Sequence, residues 1–197
     1  MRLFVAVNFP ARLRQRIARL AGPLDKAGIP CRWVAPEQVH LTLKFIGDVP
    51  SARVDELGHA LTSVATAFRP FTLRFGRIGA FPSPRLPRVI WLAVELTPEL
   101  RFLKDDLERA LLERGVEREQ RPFQPHITLG RTARDAEAGE FRSLEDAARN
   151  LGISAEYRVT HLDLMRSRLD PGGAVHTRVV TAWLGRDESR GSGGRGR

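Results

Sequence analysis

Pro36-Glu37-Gln38-Val39-His40-Leu41-Thr42-Leu43 and Pro122-Phe123-Gln124-Pro125-His126-Ile127-Thr128-Leu129 carry proline, glutamine, histidine, threonine and leucine in the same register. The chain has only five histidines, so coincidence is a poor explanation of the match. Side chains alternate faces along a strand, so His40 and Thr42 project together while Val39, Leu41, Leu43 and Phe45 fill the other side. The same parity places His126 with Thr128, opposite Ile127 and Leu129. Each half then offers an imidazole and a hydroxyl about 7 Å apart along one strand face, on an apolar backing that fixes them. If a pseudo-two-fold axis relates the halves, both pairs face one cleft.

Around these two stretches, residues 2–9, 39–45, 71–81, 89–96, 126–131, 157–166 and 175–184 read as strands through alternation or β-branched and aromatic content. Between them, apolar residues recur at helical spacing. Leu13, Ile17, Leu20 and Leu24 form one stripe, and Val54, Leu57, Leu61, Val64 and Phe68 a second behind Pro50-Ser51. Leu100, Leu103, Leu107 and Leu111 form a third that starts at Thr97-Pro98 and stops at Gly115, and a shorter helix follows Ser143. Adjacent strand pairs mixed with helices point to antiparallel sheets, hence an α+β fold rather than a doubly wound one.

The 197 residues, 42% hydrophobic and 28% charged, suit one globular domain over 1–185 and exclude collagen, simple-repeat and wholly disordered classes. Residues 186–197 hold only glycine, serine and charged residues, and read as a disordered Gly/Arg-rich tail. A single cysteine, Cys31, forms no internal disulfide, and no signal peptide or membrane span is legible, so the expected location is the cytoplasm. Formal charge is +9, and 29 of the 32 basic residues are arginine, lysine occurring only at 26, 44 and 104. An arginine fork matches phosphate oxygens, but a GC-rich genome gives the same bias, so charge alone decides little.

Two imidazoles across a cleft suit an in-line displacement at phosphorus: one nitrogen removes a proton from the nucleophile while the other gives one to the leaving oxygen. An ordinary pKa near 6.5 lets the two protonation states coexist at neutral pH. The hydroxyls of Thr42 and Thr128 are placed to donate to the non-bridging oxygens. The scheme requires no metal or cofactor, and neither histidine has a ligand spacing around it. His59, His161 and His176 receive no catalytic role, the last because Thr177 beside it falls on the opposite strand face. Lys44 shares the His40 parity and is placed to reach an anion at the cleft rim; Arg131, on the opposite parity from His126, requires a bend after Gly130 to reach phosphate. Phe4, Phe9, Phe45 and Trp33 are the candidates for stacking a base.

The paired motifs resemble the two-histidine (2H) phosphoesterase superfamily. Residues 2–6, 40–47 (HLTLKFIG), 81–92 (FPSPRLPRVIWL), 121–131 (RPFQPHITLGR) and 164–173 (LMRSRLDPGG) are similar to the RNA 2',3'-cyclic phosphodiesterases, historically called 2'-5' RNA ligases, with Gly130 where alanine is more usual. The resemblance implies a bilobal α+β fold, each lobe a small antiparallel sheet with helices outside, around a V-shaped cleft. It also implies metal-independent hydrolysis of a terminal RNA 2',3'-cyclic phosphate, or of cyclic nucleotides, to a 2'-phosphomonoester. By carry-over His40 is the proton donor, His126 the proton acceptor, and Thr42 and Thr128 hold the phosphate. No obligate protein partner is implied, and a monomer is expected. The alternatives are 2'-5' RNA ligation on the same site and a nucleotide- or RNA-binding module without turnover.

Overall fold

The computed structural model describes residues 1–170 and 173–185; the tail expected over 186–197 lies outside the described residues. Two antiparallel sheets carry the fold. The first runs in the order β3 (His40–Asp48), β1 (Arg2–Asn8), β8 (His161–Asp170), β9 (Gly173–Trp183). The second runs β2 (Arg32–Trp33), β6 (His126–Arg131), β5 (Val89–Val94), β4 (Phe71–Phe81), β7 (Glu156–Val159). Each sheet thus holds one of the repeated motifs at or beside its edge, and β3 and β6 approach one another.

Helices α1 (Ala11–Ala18), α2 (Ala21–Lys26), α3 (Val54–Thr66), α4 (Pro98–Leu112) and α5 (Leu144–Ala148) complete the α+β architecture. The α4 signals act as their chemistry dictates. The Thr97 hydroxyl accepts from the Leu100 amide at 3.3 Å, Pro98 occupies the first turn, and Gly115 takes a positive φ just past the end. Leu100, Leu103, Leu107 and Leu111 are all buried, each contributing roughly 1.5–3 kcal/mol. They join a single apolar cluster with Leu3, Val5 and Leu41 of the first sheet and Leu92, Ile127 and Leu129 of the second. The two lobes therefore share one core.

The elements differ from the expectation in three places. The stripe from Leu13 to Leu24 is two helices, because Pro23 is tolerated in the first turn of α2 but not inside a continuous helix. The strand expected over 157–166 breaks at Thr160: Val159 pairs with Phe71 in the second sheet and His161 with Trp183 in the first, so the chain changes lobes there. The two residues of β2 are too few to show a period.

The first sheet curls. His40 pairs with Asn8 at one end of β1, whereas His176 lies opposite Ser167, which pairs with Arg2 at the other end. Yet the rings of His40 and His176 have centroids 5.2 Å apart. The β8–β9 hairpin thus folds over the concave face, and Gln38 Nε2 fastens it by donating to the Ala174 carbonyl.

Candidate active site

Both motif histidines are held in the same way. His40 Nδ1 donates to the Gln38 carbonyl at 2.6 Å and His126 Nδ1 to the Gln124 carbonyl at 2.7 Å. A carbonyl only accepts, so Nδ1 carries the proton and Nε2 is left with its lone pair. The Thr42 hydroxyl lies 3.1 Å from His40 Nε2. Leu41, Leu43, Ile127 and Leu129 are buried beneath, as alternation requires, while His40, Thr42, His126 and Thr128 are half-buried.

Beyond the threonines the alternation fails, in both strands at the same place. Ala6 pairs with Thr42 but Val5 with Lys44, so Leu43 is an extra residue; Trp91 pairs with Thr128 but Ile90 with Gly130, so Leu129 is extra. A bulge turns the following residues over. This corrects the reading of Lys44: it is 1% exposed and points into the interior, not at the cleft rim. Its Nζ donates to Glu108 Oε2 at 2.8 Å and the Glu117 carbonyl at 2.6 Å. Lys104 bonds Glu108 as well, and Glu119 at 2.6 Å, closing a buried network behind β3. Burial alone would raise the Glu108 carboxyl, but its bonds to Lys104 and Lys44 prevail and hold it below its ordinary range.

The same bulges send the next residues out. Phe45 is 57% exposed and packs beside Phe4 instead of filling the core, a second correction. Arg131 is exposed, and the irregularity that turns it outward lies at Leu129, before Gly130 and not after it. Gly130 turns inward: a Cβ there would stand 2.4 Å from Cys31 Sγ and 2.8 Å from Trp33 Cε3.

Ring neighbours distinguish the two histidines. His40 lies 5.0 Å from Phe4 and 5.2 Å from His176; His126 lies 5.1 Å from Phe81 and 6.2 Å from Trp91. Burial, opposed by the Gln38 carbonyl and reinforced by repulsion from His176, His126 and Arg131, lowers the His40 pKa to about 4. Burial also lowers that of His176.

Of the four stacking candidates, Phe4 and Phe9 are buried, and Trp33 packs on the core with Nε1 donating to Asp25 at 2.9 Å. Phe45 alone of the four is well exposed. The sequence reading missed Phe81, Trp91 and His176, which reach the site from strands outside the repeat. It also missed Asp163, fully buried on β8, where it accepts from Asn8 Nδ2 and Thr181 Oγ1, each at 2.7 Å. His59 is exposed on α3, and the His161 ring lies 4.9 Å from that of Trp183 at a tilt of 50°. Among the described residues no group of three or more His, Cys, Asp or Glu is arranged to hold a metal. A cavity of about 360 Å³ between Pro84, Phe141 and Arg142 contains none of the motif residues.

The profile of the 2'-5' RNA ligase superfamily matches residues 9–171. A protein of Methanothermobacter thermautotrophicus named RNA 2',3'-cyclic phosphodiesterase is 30% identical over 90% of this chain and 95% of its own length. One of Archaeoglobus fulgidus with the same name is 31% identical over 89% and 96%. Among solved structures, TT0787 of Thermus thermophilus superposes with a TM-score of 0.78 at 28% identity, covering 93% of this chain and 98% of that one. E. coli LigT complexed with 3'-AMP gives 0.74 at 28% identity, covering 94% and 98%.

Proposed function

The chain belongs to the 2'-5' RNA ligase superfamily, and from that premise we propose that it hydrolyses the terminal 2',3'-cyclic phosphate of RNA to a 2'-phosphomonoester. The observation that carries this reading is the matched pair of imidazoles, each with Nδ1 tied to a backbone carbonyl two residues upstream. The tie survives protonation, so Nε2 is the atom that takes or gives the catalytic proton.

In the proposed step water attacks phosphorus and loses its proton to His126 Nε2. The bond from phosphorus to O3' breaks, and His40 Nε2 delivers a proton to that oxygen. Thr42, Thr128 and the nearby guanidinium of Arg131 receive the charge on the non-bridging oxygens. His40 is neutral in the empty site at pH 7, because burial, with repulsion from the Arg131 cation and from any proton on the neighbouring imidazoles, disfavours its charged form. A phosphodiester anion lying between the walls offsets that repulsion, so His40 gains its proton as substrate binds.

Residues 1–185 act as the catalytic unit in this reading, as a cytoplasmic monomer without cofactor or obligate protein partner. No helix among the described residues is long and apolar enough to cross a membrane. The test incubates oligonucleotides ending in a 2',3'-cyclic phosphate, and free nucleoside cyclic phosphates, with the protein in EDTA. A 2'-phosphate product is expected. A strict metal requirement or a 3'-phosphate product contradicts the proposed step. A linked product outnumbering the 2'-phosphate when a 5'-hydroxyl strand is added makes ligation the principal activity. Tight binding without turnover makes the protein a binding module.

A further inference from the structure

We infer that His176 is a positioning residue of this reaction, a third imidazole that acts through His40 and makes the two motif histidines unequal. The inference rests on the reading of His40 as a proton-transfer group. Three rings meet at the wall of the first lobe: Phe4 to His40 at 5.0 Å, Phe4 to His176 at 5.0 Å, and His40 to His176 at 5.2 Å with the planes 85° apart. His176 has no place near His40 by register; only the curl of the β8–β9 hairpin brings it there. Gln38 holds both partners, its carbonyl accepting from His40 Nδ1 and its side chain donating to the Ala174 carbonyl.

A purely apolar ring would pack in this triangle at lower cost. His176 Nδ1 is buried with no hydrogen-bond partner among the described residues, and a buried, unsatisfied ring nitrogen opposes folding. Phe81 fills the comparable place beside His126 without that penalty. What an imidazole adds, and phenylalanine cannot, is a charge that appears as pH falls, one ring away from His40.

The groups facing this pair are Arg131 from β6, which repels a proton on His40, and His126 from the same strand, which does so when it is itself protonated; Phe4 from β1, which is neutral; and Ser167 opposite His176 on β8. Arg178, two residues along β9, has its Nε 3.9 Å from buried Asp163, whose carboxylate offsets its charge. Repulsion between the two imidazoles keeps them from being charged together. The burial of both rings reinforces this, lowering each one's proton affinity.

The test follows the His40 ring by NMR titration in the full chain, comparing wild type with His176→Phe, which keeps the ring, and His176→Gln, which keeps a polar group without the charge. His40 is expected to titrate roughly one pH unit higher in both variants. The limb of kcat/KM governed by His40 shifts with it. If His40 is the proton donor, kcat/KM at pH 7 rises up to about tenfold; if it is the base, the acid limb shifts upward and the rate at pH 7 holds. Either pattern supports the inference. An unchanged His40 titration in His176→Gln, with a superimposable pH profile, overturns it, and that variant stands in should His176→Phe fail to fold. Because the titration needs no turnover, it reports on His176 even if the proposed hydrolysis fails.

Discussion

His40 and His126 sit on strands built by one device and surrounded by different residues. In both, a carbonyl two residues upstream fixes the ring, a threonine follows on the same face, and a bulge at Leu43 or Leu129 reverses the alternation. After the bulge the lobes part company. The inward residue is Lys44 in one and Gly130 in the other, and the outward residue is Phe45 against Arg131. The rings alongside are Phe4 and His176 against Phe81 and Trp91. The repeat thus places two equivalent imidazoles, and the strands outside the repeat make them unequal. In the proposed reaction a division of labour between acid and base has to come from these neighbours, because the duplicated residues alone would give both histidines the same proton affinity.

Replacing either histidine is the severest way to break the comparison. His40→Ala and His126→Ala are each expected to lower kcat by about a hundredfold to ten-thousandfold with the fold intact, as loss of general acid-base catalysis requires. The double variant should lose little more than the worse single one, since the two groups act in one displacement. Near wild-type turnover in either single variant eliminates the mechanism.

Lys44→Met tests the interior half of the same bulge. It removes one cation from the buried network and leaves Glu108 with Lys104 alone. A cost of about 3 kcal/mol in urea unfolding is expected, the range for breaking a buried pair from one side. A cost no larger than that of an exposed lysine would return this residue to the cleft rim.

Which features the residues disclose by themselves depends on which forces are local. The alternation of Leu41 and Leu43 with His40 and Thr42 is a property of the strand itself, so the motif face is legible from one stretch. The helix of Leu100 to Leu111 announces itself through Thr97, Pro98 and Gly115. A bulge depends on the partner strand, and nothing in the run His40-Leu41-Thr42-Leu43-Lys44 marks one. Parity therefore sends Lys44 outward and Phe45 inward, the reverse of what is found. His176 is hidden for a longer-range reason. Its contact with His40 requires a whole hairpin to curl, and judging it by its neighbour Thr177 tests only a local repeat of the motif.

The crowding of His40 also leaves a mark on stability. Its pKa in the folded chain is about 4, below the ordinary 6.5, so between those values the unfolded chain binds a proton that the folded chain does not. Stability therefore falls as pH drops through this window. From pH 7 to pH 5 the loss is about 2 kcal/mol from this group, and His176, lowered in the same direction, adds to it. Unfolding of wild type and His40→Gln at both pH values checks the sign: the variant should show the shallower decline. Equal declines would mean that His40 is not desolvated in solution.

Gly130→Ala probes the other lobe at the position equivalent to Lys44, and the smallest effect is expected there. The first lobe accommodates a long side chain at that point because Glu108 and the Glu117 carbonyl receive it. The second lobe has no such space. A methyl group would stand 2.4 Å from Cys31 Sγ, 2.8 Å from Trp33 Cε3 and 3.1 Å from the Arg32 carbonyl. The sulfur and the ring must shift, at a cost of about 1 kcal/mol. Because Cys31 makes the closest approach, Cys31→Ala in the same chain should restore half or more of that loss. Arg131 is the next residue and pairs with Arg32 across β2, so a displaced β2 moves its guanidinium and lowers kcat/KM in parallel. Full stability in Gly130→Ala would mean that β2 shifts freely, and the two inward positions would then differ in side chain alone and not in the space around them.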